Sequence, residues 1–246
     1  MGICEEQNYG RFVAENALRR GITKFDFEKP FEWASGFRMP TYSDYRLLLF
    51  HSDIRSVIAD VLEEMILEET SNQGIVLAGT ATAGIPWASL TSERLDCPLV
   101  YIRAKPKDQG LKNQIEGLDA ESDLQGEEVH VIEDVIATGG SSAAAVQAVR
   151  DARGNCNYCF SIFNYGFNEA QEMFNGRRPF DREGARVLSP ACELKSILDY
   201  ETLLNVAREM NYVTPEQIKV LEEWRADPWN WGEKQGFPRV LKEKKA

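Results

Sequence analysis

The chain has 246 residues, 43% hydrophobic and 27% charged, with 28 Lys and Arg against 39 Asp and Glu for a net charge of −11. That is ordinary for one moderate globular domain with appendages, and the excess of acids argues against broad binding of nucleic acid or anionic membranes, which would be repelled at long range. An anionic small molecule must therefore meet a local basic patch.

Five cysteines (Cys4, Cys97, Cys156, Cys159, Cys192) make an odd count, and the N-terminus lacks the charged and apolar pattern of a signal sequence, so the cytoplasm is the expected compartment. The most apolar window, residues 74–90, is broken by Gly79, Gly84 and Pro86, and no membrane span is expected.

Residues 9–20 predict a short amphipathic helix stopped by Gly21, with Phe12, Val13 and Ala17 on or near one face. Residues 31–46 are rich in aromatics and turn at Ser35-Gly36 and Pro40; taken alone they read as a strand and turn covering the core. From about Ser52, the recurrence of Ile54, Val57, Ile58, Val61, Leu62 and Met65 predicts a helix whose stripe is core.

Gly74 to Ala78 predicts the first strand of a parallel sheet, running into Gly79-Thr80-Ala81-Thr82-Ala83-Gly84-Ile85-Pro86. Small residues there let backbone approach a ligand, and Pro86 suits a first helical turn. The glycine spacing matches a Walker A loop, but Ile85 stands where that loop needs Lys, which disfavours a nucleotide triphosphatase. Cys97 to Ile102 predicts a second strand. In the segment that follows, Arg103, Lys105, Lys107 and Lys112 against Asp108 leave a charge of +3. A run of this composition is usually a solvated face.

The stretch from Val129 to Ser142 organises the chain. Apolar Val129, Val131 and Ile132 lead to Glu133 and Asp134, then Val135, Ile136, Ala137, Thr138, Gly139, Gly140, Ser141 and Ser142, which read as strand, loop and helix. Two acids at the carboxyl end of a buried parallel strand can accept hydrogen bonds from sugar hydroxyls. Hydroxyls and unshielded N–H groups at a helix start favour an anion, and together they describe a cradle for a ribose 5-phosphate. Ala143 to Ala152 continues as a helix with Val146 and Val149 inward, and Phe160 to Phe163 forms the next strand. Cys156 and Cys159 flank its start; with no second pair, core packing is the expectation. Beyond about Leu194, Ile197, Leu203, Leu204, Ala207 and Met210 suggest a helix, and Thr214-Pro215-Glu216-Gln217 a capping box opening another. The aromatic C-terminal helices, with Trp229 and Trp231, are given no catalytic role.

The pattern from Val129 to Ser142 closely resembles the phosphoribosyl pyrophosphate (PRPP) signature of type I phosphoribosyltransferases. The resemblance covers roughly residues 9–190 and implies an α/β fold, a central mostly parallel sheet flanked by helices, with an N-terminal hood. It divides the chain into a phosphoribosyltransferase domain over 1–190 (hood about 1–50, core about 51–190) and a helical extension over 191–246. Residues 31–46 resemble the hood of the orotate branch, which would set Ser35, Gly36, Tyr42, Ser43 and Ala137 against the base. The stretch Gly79 to Gly84 resembles the pyrophosphate loop, and residues 103–112 the mobile catalytic loop, with Arg103, Lys105, Lys107 and Gln109 in catalytic positions beside Asp134 of the PRPP motif. Two loop residues depart from that branch, Ala104 for a cation and Gln109 for His. Asn164-Tyr165-Gly166 stands where an Asp-Arg pair commonly holds the orotate carboxylate.

The activity implied is conversion of orotate and PRPP to orotidine 5′-phosphate and pyrophosphate, on the way to UMP. Mg²⁺ would be carried by PRPP oxygens and water, without direct protein ligands, and the loop implies a homodimer. A phosphoribosyltransferase for another base, and a PRPP-sensing regulator without catalysis, remain open alternatives.

Overall fold

Alternation of apolar strands with amphipathic helices builds one main sheet with a small hood over one end. A computed structural model describes residues 9–70, 74–105, 114–118, 123–176 and 187–240. Helix α1 (Tyr9–Arg19) buries Gly10, Val13, Ala14, Ala17 and Leu18. Phe12, expected inward, is 43% exposed, because it lies two residues, about 200°, round the helix from Gly10 and Ala14. The hood follows: β1 (Thr23–Phe25), β2 (Phe31–Glu32), β3 (Arg38–Met39) and β4 (Thr41–Ser43), with β1 antiparallel to β4 and β2 to β3. A 3-10 turn (Tyr45–Phe50), capped by Asp44, leads into α2 (Ser52–Glu69), which buries Ile54, Ile58, Val61 and Leu62 of the predicted stripe together with Ile66, while Val57 and Met65 are partly buried.

The main sheet then runs through β5 (Ile75–Thr80), α3 (Gly84–Leu95), β6 (Leu99–Ile102), β7 (Ile115–Glu116), β8 (Glu128–Ile136), α4 (Gly140–Asp151), β9 (Tyr158–Asn164), α5 (Asn168–Phe174) and β10 (Glu193–Asp199). Its order is β10-β9-β8-β5-β6-β7, parallel throughout except that β7 is antiparallel to β6. Every residue of β5 is buried, as expected for a strand covered on both faces. Alternate residues feed two apolar clusters: Ile75 and Leu77 pack with α1, α2 and α3, Val76 and Ala78 with α4 and α5. Cys156, Cys159 and Cys192 are free thiols in the second cluster. Gly79 and Thr80, expected in a loop, are strand residues, and Gly140 to Ser142 already form the first turn of α4.

The C-terminal region departs most from expectation. Glu193–Asp199 is a sixth strand, hydrogen-bonded to β9, so Ile197 lies in the sheet and not in a helix. Short apolar runs such as this read equally well either way. Then come α6 (Tyr200–Glu209), α7 (Pro215–Ala226) with the predicted Thr214/Gln217 capping box, and α8 (Pro228–Lys234). Trp224 of α7 is fully buried, donates from Nε1 to Met39 Sδ at 3.0 Å, and packs edge-on to Tyr165, Phe167, Tyr200 and Trp33. No helix among the described residues is long and apolar enough to cross a membrane.

These contacts make α7 part of the common core. Trp224→Ala is expected to cost about 3–5 kcal/mol, read as a lower urea midpoint in one cooperative transition. A separate early transition would mean that the C-terminal helices fold on their own.

Candidate active site

The chain passes from β5 to β6 on one side, while β8 pairs with β5 on the other. The crevice beyond the carboxyl ends of β5 and β8 is thus a topological switch point, where open α/β sheets take their ligands. Gly79 pairs with Ile132, so Thr80 and Glu133 stand side by side where the pairing of β5 with β8 ends, while β8 runs on beside β9 to Ile136. A cavity of about 270 Å³ opens there. Thr80, Ala81, Thr82 and Ala83 line it from β5, Glu133, Asp134, Val135 and Ser141 from the β8–α4 stretch, and Arg103, Ala104 and Gln114 from the β6–β7 side.

Glu133 is 7% exposed. Its Oε1 accepts from the Thr80 hydroxyl at 2.7 Å and from the Asp134 N–H at 3.1 Å, and its Oε2 accepts from the Ser142 hydroxyl at 3.2 Å. Burial, and then the charge of Asp134, push Glu133 above the usual carboxylate range, outweighing the Thr80 bond that pulls it down. Burial raises Asp134 as well, against the pull of Glu133, backbone N–H groups and Arg46. Adjacent acids raised in this way suit a guest that brings hydroxyl donors or positive charge.

Glycines shape the rest. A Cβ on Gly84 would collide with the Ile132 carbonyl and the Thr80 hydroxyl, so glycine alone lets α3 start against β8. Gly139, at φ 77°, caps α4. A Cβ on Gly140 would meet nothing within 4 Å, which leaves open space at a helix start whose N–H groups favour an anion.

The sequence-predicted residues divide accordingly. Ser141 faces the cavity, but Ser142, expected in the phosphate cradle, is buried with its hydroxyl turned to Glu133. Ile136 is buried too, and its carbonyl accepts from the Tyr165 N–H at 2.9 Å. Arg103 lines the cavity with Nη1 3.5 Å from Glu116, and Lys105 is exposed. Lys107 and Gln109 lie outside the described residues.

A second cavity, about 380 Å³, lies under the hood and is lined by Trp33, Ala34, Ser35, Tyr42, Ser43, Ala137, Thr138, Tyr165 and Trp229. Four of the predicted base residues, Ser35, Tyr42, Ser43 and Ala137, therefore meet in one place. Gly36 stands behind them; at φ 81° it closes a turn from its N–H to the Trp33 carbonyl, 2.8 Å away. Thr138, assigned to the phosphate, faces this second cavity. None of its lining residues carries a formal charge. Tyr165, noted from the sequence only as standing where an Asp-Arg pair is common, joins this lining; it is 3% exposed and 5.1 Å from the Trp33 ring. Sequence reasoning gave Trp229 no role, because nothing local marks a tryptophan so far along the chain.

Residues 48–162 match the phosphoribosyl transferase domain family. The orotate phosphoribosyltransferase of Listeria monocytogenes serotype 4b is 40% identical over 220 residues, spanning 89% of this chain and 97% of that protein. That of Bacteroides fragilis is 37% identical over 228 residues, spanning 92% and 98%. Among solved structures, the orotate phosphoribosyltransferase of Aeropyrum pernix superposes with a TM-score of 0.62 at 23% identity, covering 82% of this chain and 99% of that one. The adenine phosphoribosyltransferase of Trypanosoma brucei does so with 0.57 at 17%, covering 82% and 84%. Proteins named for different bases thus share the fold, and the fold alone does not select the base.

The raised acids carry a pH signature. A carboxyl whose folded value is raised contributes its full stability below its unfolded value, 4.5 for Glu133, and loses it as pH climbs through the folded value. Melting temperature of the ligand-free protein should therefore fall from about pH 4.5 toward neutrality. Glu133→Gln, which keeps an acceptor for Thr80, should flatten that slope, and an unchanged slope would place the titration on another group.

Proposed function

We propose that this chain, which belongs to the orotate phosphoribosyltransferase family, transfers ribose 5-phosphate from PRPP to orotate, giving orotidine 5′-phosphate and pyrophosphate. One observation carries the reading beyond family membership: the stretch from Glu133 to Ser141 lines both cavities, the acidic one and the uncharged one. Two substrates held on either side of one turn are placed for direct transfer between them.

In this mechanism Glu133 and Asp134 hold the ribose hydroxyls, and the open start of α4 at Gly140 and Ser141 takes the 5-phosphate. The loop from Thr80 to Gly84 borders the pyrophosphate. As the bond from ribose C1 to pyrophosphate breaks, positive charge grows on the ring and negative charge on the leaving oxygens. Arg103, Lys105 and Lys107 would balance the latter, and the base nitrogen forms the new bond to C1. The acid pair also fits a metal-borne substrate, since Asp134 borders the cavity and a nearby cation would relieve its raised pKa. Mg²⁺, held by PRPP oxygens and water, would supply charge neutralisation to the leaving group.

We also infer a homodimer, supported by Leu47 and Phe50 beside the hood, which are 48% and 87% exposed and form an apolar face a second copy would cover. The described cysteines are free thiols, in keeping with a cytoplasmic setting.

The uncharged base cavity, with Tyr165 where an Arg is common, favours one second reading, a base without a carboxylate. Pyrophosphate release from PRPP and Mg²⁺ should occur with orotate and not with uracil or purines. Release with uracil instead would establish the second reading, and PRPP binding without release for any base would refute catalysis. Lys107→Ala should lower kcat on the order of a hundredfold while the KM for PRPP changes little. Undiminished kcat would remove the loop from the mechanism.

A further inference from the structure

The base cavity has one wall that comes from outside the family's sequence motifs. Trp229 sits in α8, yet it shares the 380 Å³ cavity with Ala137 and Thr138, next to where the ribose carbon must lie. Its ring is held on several sides. Nε1–H donates to the Glu169 carboxylate, and the rings of Phe37 from the hood and Phe167 after β9 each lie 5.3 Å from it, centre to centre. A tryptophan fixed this way loses little further conformational freedom when a ligand arrives, so its contact area converts efficiently into affinity.

The segment that carries Trp229 is itself fastened to the hood. A Cβ on Gly232 would lie 2.9 Å from both the Cβ and the carbonyl of Arg38, so glycine is what allows α8 to rest against β3. Past the helix, the Phe237 N–H donates to the Gly232 carbonyl at 2.7 Å, and the Val240 N–H donates to the Gly36 carbonyl at 2.9 Å. Arg239 lies 4.0 Å over the Phe37 ring and donates to the Ser35 carbonyl at 3.1 and 3.2 Å. The C-terminal segment thus holds the Ser35-Gly36 turn on one rim of the cavity and supplies Trp229 on the other.

We propose that Trp229 contacts the base and helps determine its selection, with α8 and residues 237–240 acting as a strap that sets the width of the base slot. The inference rests on the second cavity being the base site of a phosphoribosyltransferase. In a lining without formal charge, a flat heterocycle is held by stacking and by the hydroxyls of Ser35, Ser43 and Thr138. Trp229 offers the stacking face. Trp229, though packed on Phe37 and Phe167, stays half-buried, whereas Tyr165 is 3% exposed and Trp33 packs on both Tyr165 and Trp224.

The test is steady-state kinetics of the full chain with PRPP and Mg²⁺, varying each substrate in turn, on wild type, Trp229→Phe and Trp229→Ala. Loss of a base-stacking tryptophan should raise KM for the base about tenfold or more in Trp229→Ala while KM for PRPP stays within about twofold, with Trp229→Phe between the two. A merely structural role would raise both KM values together or lower kcat alone, and either result, or no change, overturns the proposal. Should Trp229→Ala fail to fold, the Trp229→Phe ratio decides by the same criterion. If wild type turns over another base in place of orotate, the orotate reading fails while the inference is judged on that base. If wild type turns over none, the inference falls with the function.

Discussion

The site depends on burying one carboxylate. Glu133 lies where β5, β8 and α4 converge, and its oxygens accept from Thr80 at the end of β5, from its neighbour's backbone, and from Ser142 in the first turn of α4. An unpaired buried acid would be costly, so the three donors must be present together. Gly84 and Gly139 serve this closeness, one letting α3 start against β8 and the other turning the chain from β8 into α4. Even so, burial and the adjacent Asp134 keep the acid above its usual range. The fold holds this polar cluster ready for a guest and forgoes some stability in ligand-free form, as functional sites commonly do.

A second constraint joins the ends of the chain. Trp33 in the hood, Tyr165 and Phe167 after β9, Tyr200 in α6 and Trp224 in α7 form one aromatic assembly with ring centres 5.1–6.4 Å apart. Such offset and edge-on pairs favour fixed geometry beyond their area. The hood strands have only two or three residues each, too short to stand alone. They keep their shape because the C-terminal helices and tail pack against them, and so the base cavity inherits its walls from segments far apart in sequence.

That difference explains what could be read from the sequence. The acidic cavity was legible because its chemistry is local: two acids, a glycine turn and a helix start must be contiguous to cradle one sugar phosphate. The strands β5, β6, β8 and β9 were legible for a similar reason, each being a short apolar run bounded by turn residues, whereas the two-residue β7 carries no such run. Ser142 was misread because a hydroxyl one place along a helix from Ser141 points elsewhere, which residue type does not reveal. β10 reads as the start of a helix because Leu194, Ile197 and Leu198 fall at the helical spacing of three and four residues, and only the pairing with β9 makes it a strand. Trp229 was invisible as a site residue because its relevance arises only when α8 meets the hood, whereas the resemblance marked the position of Tyr165 only as one where a usual base contact is lacking.

The charge balance sharpens the division between the two cavities. A chain of net charge −11 with two acids in its principal crevice repels a free polyanion, yet the proposed substrate carries several phosphate charges. Arg103 at the crevice offsets this locally, and a cation travelling with the substrate would offset more. Raised acids respond most strongly to such charge, since its arrival lowers their pKa values and lets them accept hydrogen bonds from a guest's hydroxyls as full carboxylates. On the other side of Ala137 and Thr138 the lining has no formal charge, so under the proposed function the base would be chosen by shape, stacking and hydroxyl placement. In that reading electrostatics governs the sugar phosphate and packing the base, and the short turn between the cavities is where the two would meet.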